Sequence, residues 1–355
     1  MQARPKPTSI LTRHDRVRII GQGLTGTLLA LHLKEMGIPF IVQDEELPGC
    51  ATAVAPGIVN PLAGRNFRPP EYIHELLEQT RAAMELVRKL LGLEVWTACP
   101  ILRMFADPSQ HDRFLKSLAD EGGSAFVDAQ YPENSFPYLN DVYGSFLTLK
   151  GGWANLPLLM SAARDWLRKE GLIQEEKWIA PEQVPAKPDK HNELVVFCEG
   201  WHVANNPHWS FIRHNPAKGE MILVRFEEML PRDRIYNQSC WVQPIEEDLW
   251  RVGATYSWSS FNSIASLEGA TQLQENLHLL TTAHFHVEDQ MAGVRPIVDD
   301  YQPVIGRHPV APHWYILNAM GSKGVLQAPT AVRDLLDHLR EGTRIPSAWS
   351  VDRFL

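Results

Sequence analysis

The chain has 355 residues, 44% of them hydrophobic, and a formal net charge of −8 at pH 7. That length suggests two domains, and that apolar share suits a globular protein with a buried core. An acidic chain with scattered basic residues makes nucleic acid an unlikely default partner, because such affinity comes largely from Lys and Arg neutralising phosphates. No run of about 18 apolar residues occurs, so no membrane span is expected. The opening MQARPKPTSILTRHDR lacks the apolar core of a signal peptide. Cys50, Cys99, Cys198 and Cys240 form no CxxC pair and no zinc-like spacing, and they read as reduced thiols of a cytoplasmic protein.

Taken in chain order, Val17 to Ile20 is a short β-branched run that predicts a buried strand. GQGLTG follows, then a helix whose stripe is Leu24, Leu28, Leu31 and Leu33 and which Gly37 stops. Pro39 to Val42 predicts a second strand ending at Gln43-Asp44. Strand, glycine turn, helix and strand make the opening βαβ unit of a doubly wound fold. Residues 71–91 predict an amphipathic helix. Gly151-Gly152 introduces another, at about 155–170, ended by Gly171. The proline-rich 181–188 stretch reads as a loop, and Leu194 to Phe197 as a third buried strand. Between about 210 and 262, MILVRF, IYNQSCWVQPI and LWRVGATYSW are short β-like runs separated by turn residues, which predicts an antiparallel sheet. Residues 268–283 predict a helix, Trp314 to Leu317 a strand, and a final helix runs through about Arg340.

The nucleotide-binding pattern thus occurs at both ends and in the middle of the chain. The expected architecture is α/β (α+β): a discontinuous Rossmann-like domain from 16–75, 145–205 and 290–345, with an inserted antiparallel, β-rich substrate domain from 76–144 and 206–289.

Four motifs carry chemistry. In Gly21-x-Gly23-x-x-Gly26 the first glycine permits a tight turn, the second lets backbone approach a pyrophosphate, and the third allows close strand–helix packing. The helix start, Leu24-Thr25, offers free N–H groups and the positive end of a dipole to phosphates. Asp44, about 20 residues on and followed by Glu45, is placed to accept from an adenosine ribose. This motif does not by itself separate FAD from NAD. The second motif, ATAVAPGIVNP over 51–61, is an ordinary loop or a backbone passing beside a flat ring. The third is GVRPIVDDYQPVIG, in which Arg295 either grips a carboxylate through paired hydrogen bonds or is salt-bridged to Asp299 or Asp300. The fourth, Gly321-Ser322-Lys323-Gly324, precedes the last helix and is a candidate anion site or a plain cap, with Lys323 near negative charge or simply solvated. The pair His284 and His286 lacks a carboxylate or cysteine to complete a metal set, so no metal is expected. His202, His208 and His214 are expected in a loop, and the tryptophans in the core.

In this order the motifs resemble the D-amino-acid oxidase / glycine oxidase superfamily of FAD-dependent oxidoreductases. The resemblance covers nearly the whole chain and rests on IIGQGLTGTLLALHL, VVFCEGW, GVRPIVDDYQPVIG and NAMGSKGVLQAP. It implies non-covalent FAD and hydride transfer from an amine or amino-acid-like small molecule to an acceptor flavin that some unknown carrier reoxidises. Asp44 would bind the adenosine ribose. Ala51, Thr52, Pro56, Gly57 and Ile58 would pass the pyrophosphate and flavin ring, and Cys198 and Gly200 fall in the middle motif. Gly321, Ser322, Lys323, Gly324 and Val325 would wrap the pyrimidine side. Arg295 occupies the position that binds substrate carboxylate, and Tyr256 is the expected aromatic of the substrate pocket. TAVAPGIVNP and GSKG with Ala328-Pro329 are also similar to the FAD domain of the bifunctional enzyme that matures carboxymethylaminomethyl-uridine in tRNA. That similarity implies, as an alternative, action on a tRNA wobble modification beside a separate methyltransferase. A non-enzymatic flavin-binding protein is the third reading.

Overall fold

A computed structural model of the chain describes residues 11, 15–120, 122–182, 193–246 and 248–355. The proline-rich 181–188 stretch and the residues before Asp15 lie mostly outside them. Elements are numbered along the chain. The first strand, β1 (Val17–Ile20), buries all but Arg18, whose guanidinium pairs with Glu193 at 2.8 Å. Helix α1 (Leu24–Glu35) follows the glycine turn, with Leu28 and Leu31 fully buried. Gly37 ends it in the left-handed conformation, at φ 66°. The chain then enters β2 (Phe40–Gln43).

These elements start a six-stranded sheet in the order β16 (Val304–Arg307), β17 (Trp314–Asn318), β10 (Leu194–Phe197), β1, β2, β9 (Ile173–Gln174). Neighbours run parallel except β16 with β17. From β1 the chain runs outward to β2 and β9, then returns to β10 on the other side. Such a reversal opens a crevice at the carboxyl ends of the strands.

The second sheet has eight strands: β15 (Phe285–Arg295), β11 (Ala217–Phe226), β14 (Leu249–Gly253), β13 (Trp241–Glu246), β12 (Ile235–Asn237), β5 (Ile101–Met104), β7 (Ser145–Thr148) and β6 (Val127–Tyr131). It is antiparallel except where β12 meets β5 in parallel. The sheet expected from 210–262 is therefore larger than its sequence signal, because strands from before residue 150 complete it. A small third sheet joins β3 (Ile58–Val59), β8 (Gly152–Ala154) and β4 (Trp96–Ala98).

The remaining helices are α2 (Ala51–Val54), α3 (Ile73–Leu91), α4 (Pro108–Asp120), α5 (Leu156–Lys169), α6 (Leu267–Leu280) and α7 (Gly324–Glu341). Helix α3 packs on α1 and α7, so it lies with the parallel sheet, and the domain boundary drawn at residue 76 cuts through it. Pro329 lies inside α7 and has no N–H for the Val325 carbonyl. The Thr80 hydroxyl of α3 donates to the Leu76 carbonyl at 2.8 Å and also lies 3.2 Å from that oxygen, a shared, longer contact. The large aromatics Trp209, Trp314 and Phe197 fill the core on one side of the parallel sheet. Among the described residues, no helix is long and apolar enough to cross a membrane.

Candidate functional site

The crevice beside β1 widens into a cleft of about 530 Å³ between the two large sheets. One wall is the β1–α1 turn. Gly21 has φ 100°, and the Gln22 N–H donates to Asp44 Oδ2 at 2.8 Å, which ties the turn to the end of β2. A Cβ on Gly26 would run into the Gly21 carbonyl, so only glycine lets the helix start this close to its own strand. At Gly23 the nearest atom to a Cβ would be Thr52 Oγ1 at 3.5 Å, which leaves room for a ligand against the backbone. Helix α1 has no side-chain cap and no acid in its first turn. Thr52 Oγ1 accepts the Leu24 N–H at 3.1 Å. The remaining first-turn donors form an uncapped positive helix end facing the cleft.

Asp44 is held by a residue that the sequence reading missed. Arg164 of α5 donates to Asp44 Oδ1 at 2.8 Å and to Gln22 Oε1 at 2.8 Å, and pairs with Glu175 at 2.9 Å. Burial opposes the Arg164 charge, but hydrogen bonds and charges from Asp44, Glu175 and Glu46 hold its pKa above normal. Asp44 Oδ2 takes the Gln22 N–H and keeps a lone pair for a further donor such as a sugar hydroxyl.

The 51–58 segment forms the short α2 and then β3 along the opposite wall. The second sheet fixes it. Gln243 donates to the Pro56 carbonyl at 3.1 Å, and Arg251 reaches the Ala55 carbonyl at 3.4 Å. These two residues pair across β13 and β14. Burial lowers the pKa of Arg251, and its Nε has no hydrogen-bond partner among the described residues.

Arg295 ends β15. It donates to the carbonyls of Lys218 at 3.3 Å and Thr255 at 3.2 Å, and its guanidinium lies 4.2 Å from the centre of the Tyr256 ring. Burial lowers its pKa, and Tyr256 acts in the other direction. Asp299 and Asp300, the alternative partners, pair instead with Arg213 and Arg353. Gly219 of β11 gives the guanidinium its place, since a Cβ there would overlap it. Tyr256 requires a correction. It is exposed and does not line the cleft; it stacks on Arg295 instead. The indoles of Trp178, Trp201 and Trp241 line the walls. Tyr256 is the aromatic that the resemblance placed in the pocket; strand β14 ends before it, at Gly253.

The late turn closes the far side. Gly321, Ser322, Lys323, Gly324 and Val325 all line the cleft, and α7 begins there without a side-chain cap. Lys323 is exposed. Cys198, Gly200 and Glu45 also line it, as do Gly21, Gly23, Leu24, Thr25, Asp44, Ala51, Thr52, Pro56, Gly57, Ile58 and Arg295. Gly26 does not; it packs beneath the turn. Five stretches of sequence, around residues 21–25, 44–58, 198–200, 295 and 321–325, therefore meet around one cavity. His284 and His286 are exposed and pair with Glu228 and Glu227. Among the described residues, no group of His, Cys, Asp or Glu is arranged to hold a metal ion.

Glu199 is a cleft residue that the sequence reading did not single out. Burial raises its carboxyl to about 7, and the Asn206 amide, donating at 2.9 Å, works against that rise. A carboxyl with a raised folded-state pKa contributes stability that is complete below its ordinary value of 4.5 and is lost as pH rises through about 7. In flavin-free protein, Glu199→Gln should therefore match the parent near pH 4.5 and exceed it by about 1–3 kcal/mol at pH 8.5. Equal denaturation midpoints at pH 8.5 would show that Glu199 is well solvated.

Comparison with known proteins adds the family. The profile of the DAO family, described as FAD dependent oxidoreductase, matches residues 16–337. A glycine oxidase of Bacillus subtilis is 29% identical over 146 residues, covering 39% of each chain. The tRNA 5-methylaminomethyl-2-thiouridine biosynthesis bifunctional protein MnmC of Marinobacter nauticus is 23% identical over 92% of this chain and 55% of its own. The chain thus spans about half or less of the curated relatives it matches. Among solved structures, glycine oxidase from Geobacillus kaustophilus has the same fold, with TM-score 0.78 at 17% identity, covering 96% of this chain and 98% of that one. The cleft fits the cofactor of this family. An uncapped helix start with an open glycine accepts a pyrophosphate, and the small-residue wall at 51–58 leaves room for a flat ring. The chain belongs to the DAO family of FAD-dependent oxidoreductases, with FAD as its cofactor.

Proposed function

We propose that the protein oxidises a carbon–nitrogen bond in an amine or amino-acid-like small molecule that carries a carboxylate. One observation carries this reading: Arg295 faces the cleft and, among the described residues, has only neutral carbonyls and an aromatic face as partners. A buried guanidinium without a carboxylate is completed by an anionic ligand. FAD, when bound, supplies the two-electron acceptor for a hydride from the carbon beside nitrogen. The chain's own residues do the rest. The α1 turn and Asp44 would hold pyrophosphate and ribose. The 51–58 wall and residues 321–325 would enclose the ring. Arg295 would fix the substrate's carboxylate and so its angle of approach, which is where most of the catalytic gain arises. The uncapped start of α7 would favour negative charge beside it.

Anaerobic mixing of the yellow holoprotein with a panel of amino acids and amines tests this. Carboxylated amines should bleach the flavin, and matched amines lacking the carboxylate should do so far more slowly. Bleaching by hydroxy acids alone, or by nothing in the panel, would overturn the proposal; the second result would favour a non-enzymatic flavin protein. The match to the tRNA-modifying relative over 92% of this chain supports a second reading, in which the amine is attached to tRNA. Salt-sensitive tRNA binding would support that reading.

A further inference from the structure

Among the described residues, Arg295 is not alone as a cation without an acid on the cleft side of the eight-stranded sheet. Ile101 and Arg103 of β5 lie opposite Ile235 and Asn237 of β12. Residues two apart in a strand share a face, and Ile101, Ile235 and Asn237 line the cleft. Arg103 therefore stands on the same face, immediately behind Asn237. Its Nη1 donates to Asn237 Oδ1, its guanidinium lies 5.5 Å from the Phe67 ring centre, and its buried Nε has no partner among the described residues. Among the described residues no carboxylate meets it. Burial alone brings its pKa down to about 10.

This pairing sets the Asn237 amide. A guanidinium has only donors, so the carbonyl must face Arg103 and the NH2 must face away from it. Among the described residues that NH2 makes no hydrogen bond. The cleft thus has a polarised N–H donor at this end, backed by an uncompensated positive charge. At the other end, the Arg295 guanidinium lies over Gly219 of β11. Strands β14 and β13 separate β11 from β12, so the two ends are about 14 Å apart as measured by strand spacing. Met221 and the Trp241 indole line the cleft between them.

We propose that Asn237, positioned by Arg103, is a second anion-recognising subsite, and that the substrate is an amine bearing a distal carboxylate roughly 10 Å from the one at Arg295. An N-carboxyalkyl or long-chain amino acid fits that length, with its methylene chain over Trp241. The substrate identity rests on the amine-oxidising reading above, while the subsite itself can be tested without turnover.

The experiment uses the FAD-loaded protein and two matched pairs of probes. N-(5-carboxypentyl)glycine and N-hexylglycine are compared by anaerobic flavin reduction, and azelate and nonanoate by perturbation of the flavin spectrum at equilibrium. The diacid of each pair should be favoured by about tenfold or more, the scale of one charge-assisted hydrogen bond, mainly through KM or Kd. Asn237→Leu should bring both ratios close to one. Asn237→Asp keeps the volume, pairs with Arg103 and repels the distal carboxylate, so it should reverse the preference. Flavin content and melting temperature report whether each variant is folded. Equal or better binding of nonanoate by the parent, or a preference that survives both substitutions, overturns the subsite. If azelate is preferred but no N-substituted glycine reduces the flavin, the subsite stands and the amine-oxidising reading falls.

Discussion

Replacing Arg295 with methionine should lower kcat/KM for carboxylated amines by about 10²–10³-fold, equivalent to the roughly 2–5 kcal/mol lost when one partner of a buried hydrogen-bonded charge pair is removed. Flavin content should stay close to the parent's, because the guanidinium touches Lys218, Thr255 and Tyr256 rather than the glycine turns. Methionine keeps much of the apolar stem, so the packing over Gly219 survives. Arg295→Lys should recover only part of the loss, since an ammonium cannot make two parallel hydrogen bonds to a carboxylate. Amines without the carboxylate should hardly respond. Unchanged kinetics toward a carboxylated substrate would remove Arg295 from the site.

A substitution of one methyl group should have the opposite signature. Gly26→Ala places a Cβ inside the Gly21 carbonyl, and both partners are backbone in a turn that hydrogen bonds already fix. Helix α1 must then move off its strand, and the phosphate site moves with it. The expected product is colourless or insoluble. Gly23→Ala is the informative contrast, because its Cβ would meet only Thr52 Oγ1, at 3.5 Å. That variant should fold with a melting temperature near the parent's and bind FAD weakly. Visible absorbance per protein and thermal unfolding read both outcomes. A yellow, stable Gly26→Ala protein would contradict the close packing described.

These contrasts show which parts of the site were legible in the sequence. The β1–α1 turn, the 51–58 wall and the 321–325 turn could be read because each places small residues or glycines where backbone itself meets a ligand. Backbone requirements of that kind leave a local mark. Arg164, Gln243, Arg251, Arg103 and Asn237 left none. Each acts across strands, sheets or layers, on a partner more than 90 residues distant in the chain. In a single strand, Arg251 or Gln243 reads as an ordinary polar position of an alternating pattern. Its meaning depends on which strand lies opposite, and pairing across an eight-stranded sheet is not encoded locally. Tyr256, placed by family likeness alone, had no local signal either, and it packs on Arg295 beyond the end of β14. The parallel join of β12 to β5 was equally invisible, because parallel partners can lie any distance apart along the chain.

The arrangement of the glycine turns has a consequence for biosynthesis. The turn at Gly21–Gly26 is translated about 300 residues before the turn at Gly321–Gly324. Strands β10 and β17, which extend the sheet on one side of β1, are also made after the first βαβ unit. A nascent chain can therefore build its first βαβ unit early but cannot enclose the cleft until residues 321–325 have been made. Enclosure of a flavin thus follows synthesis of the late turn, however early the first glycine motif folds.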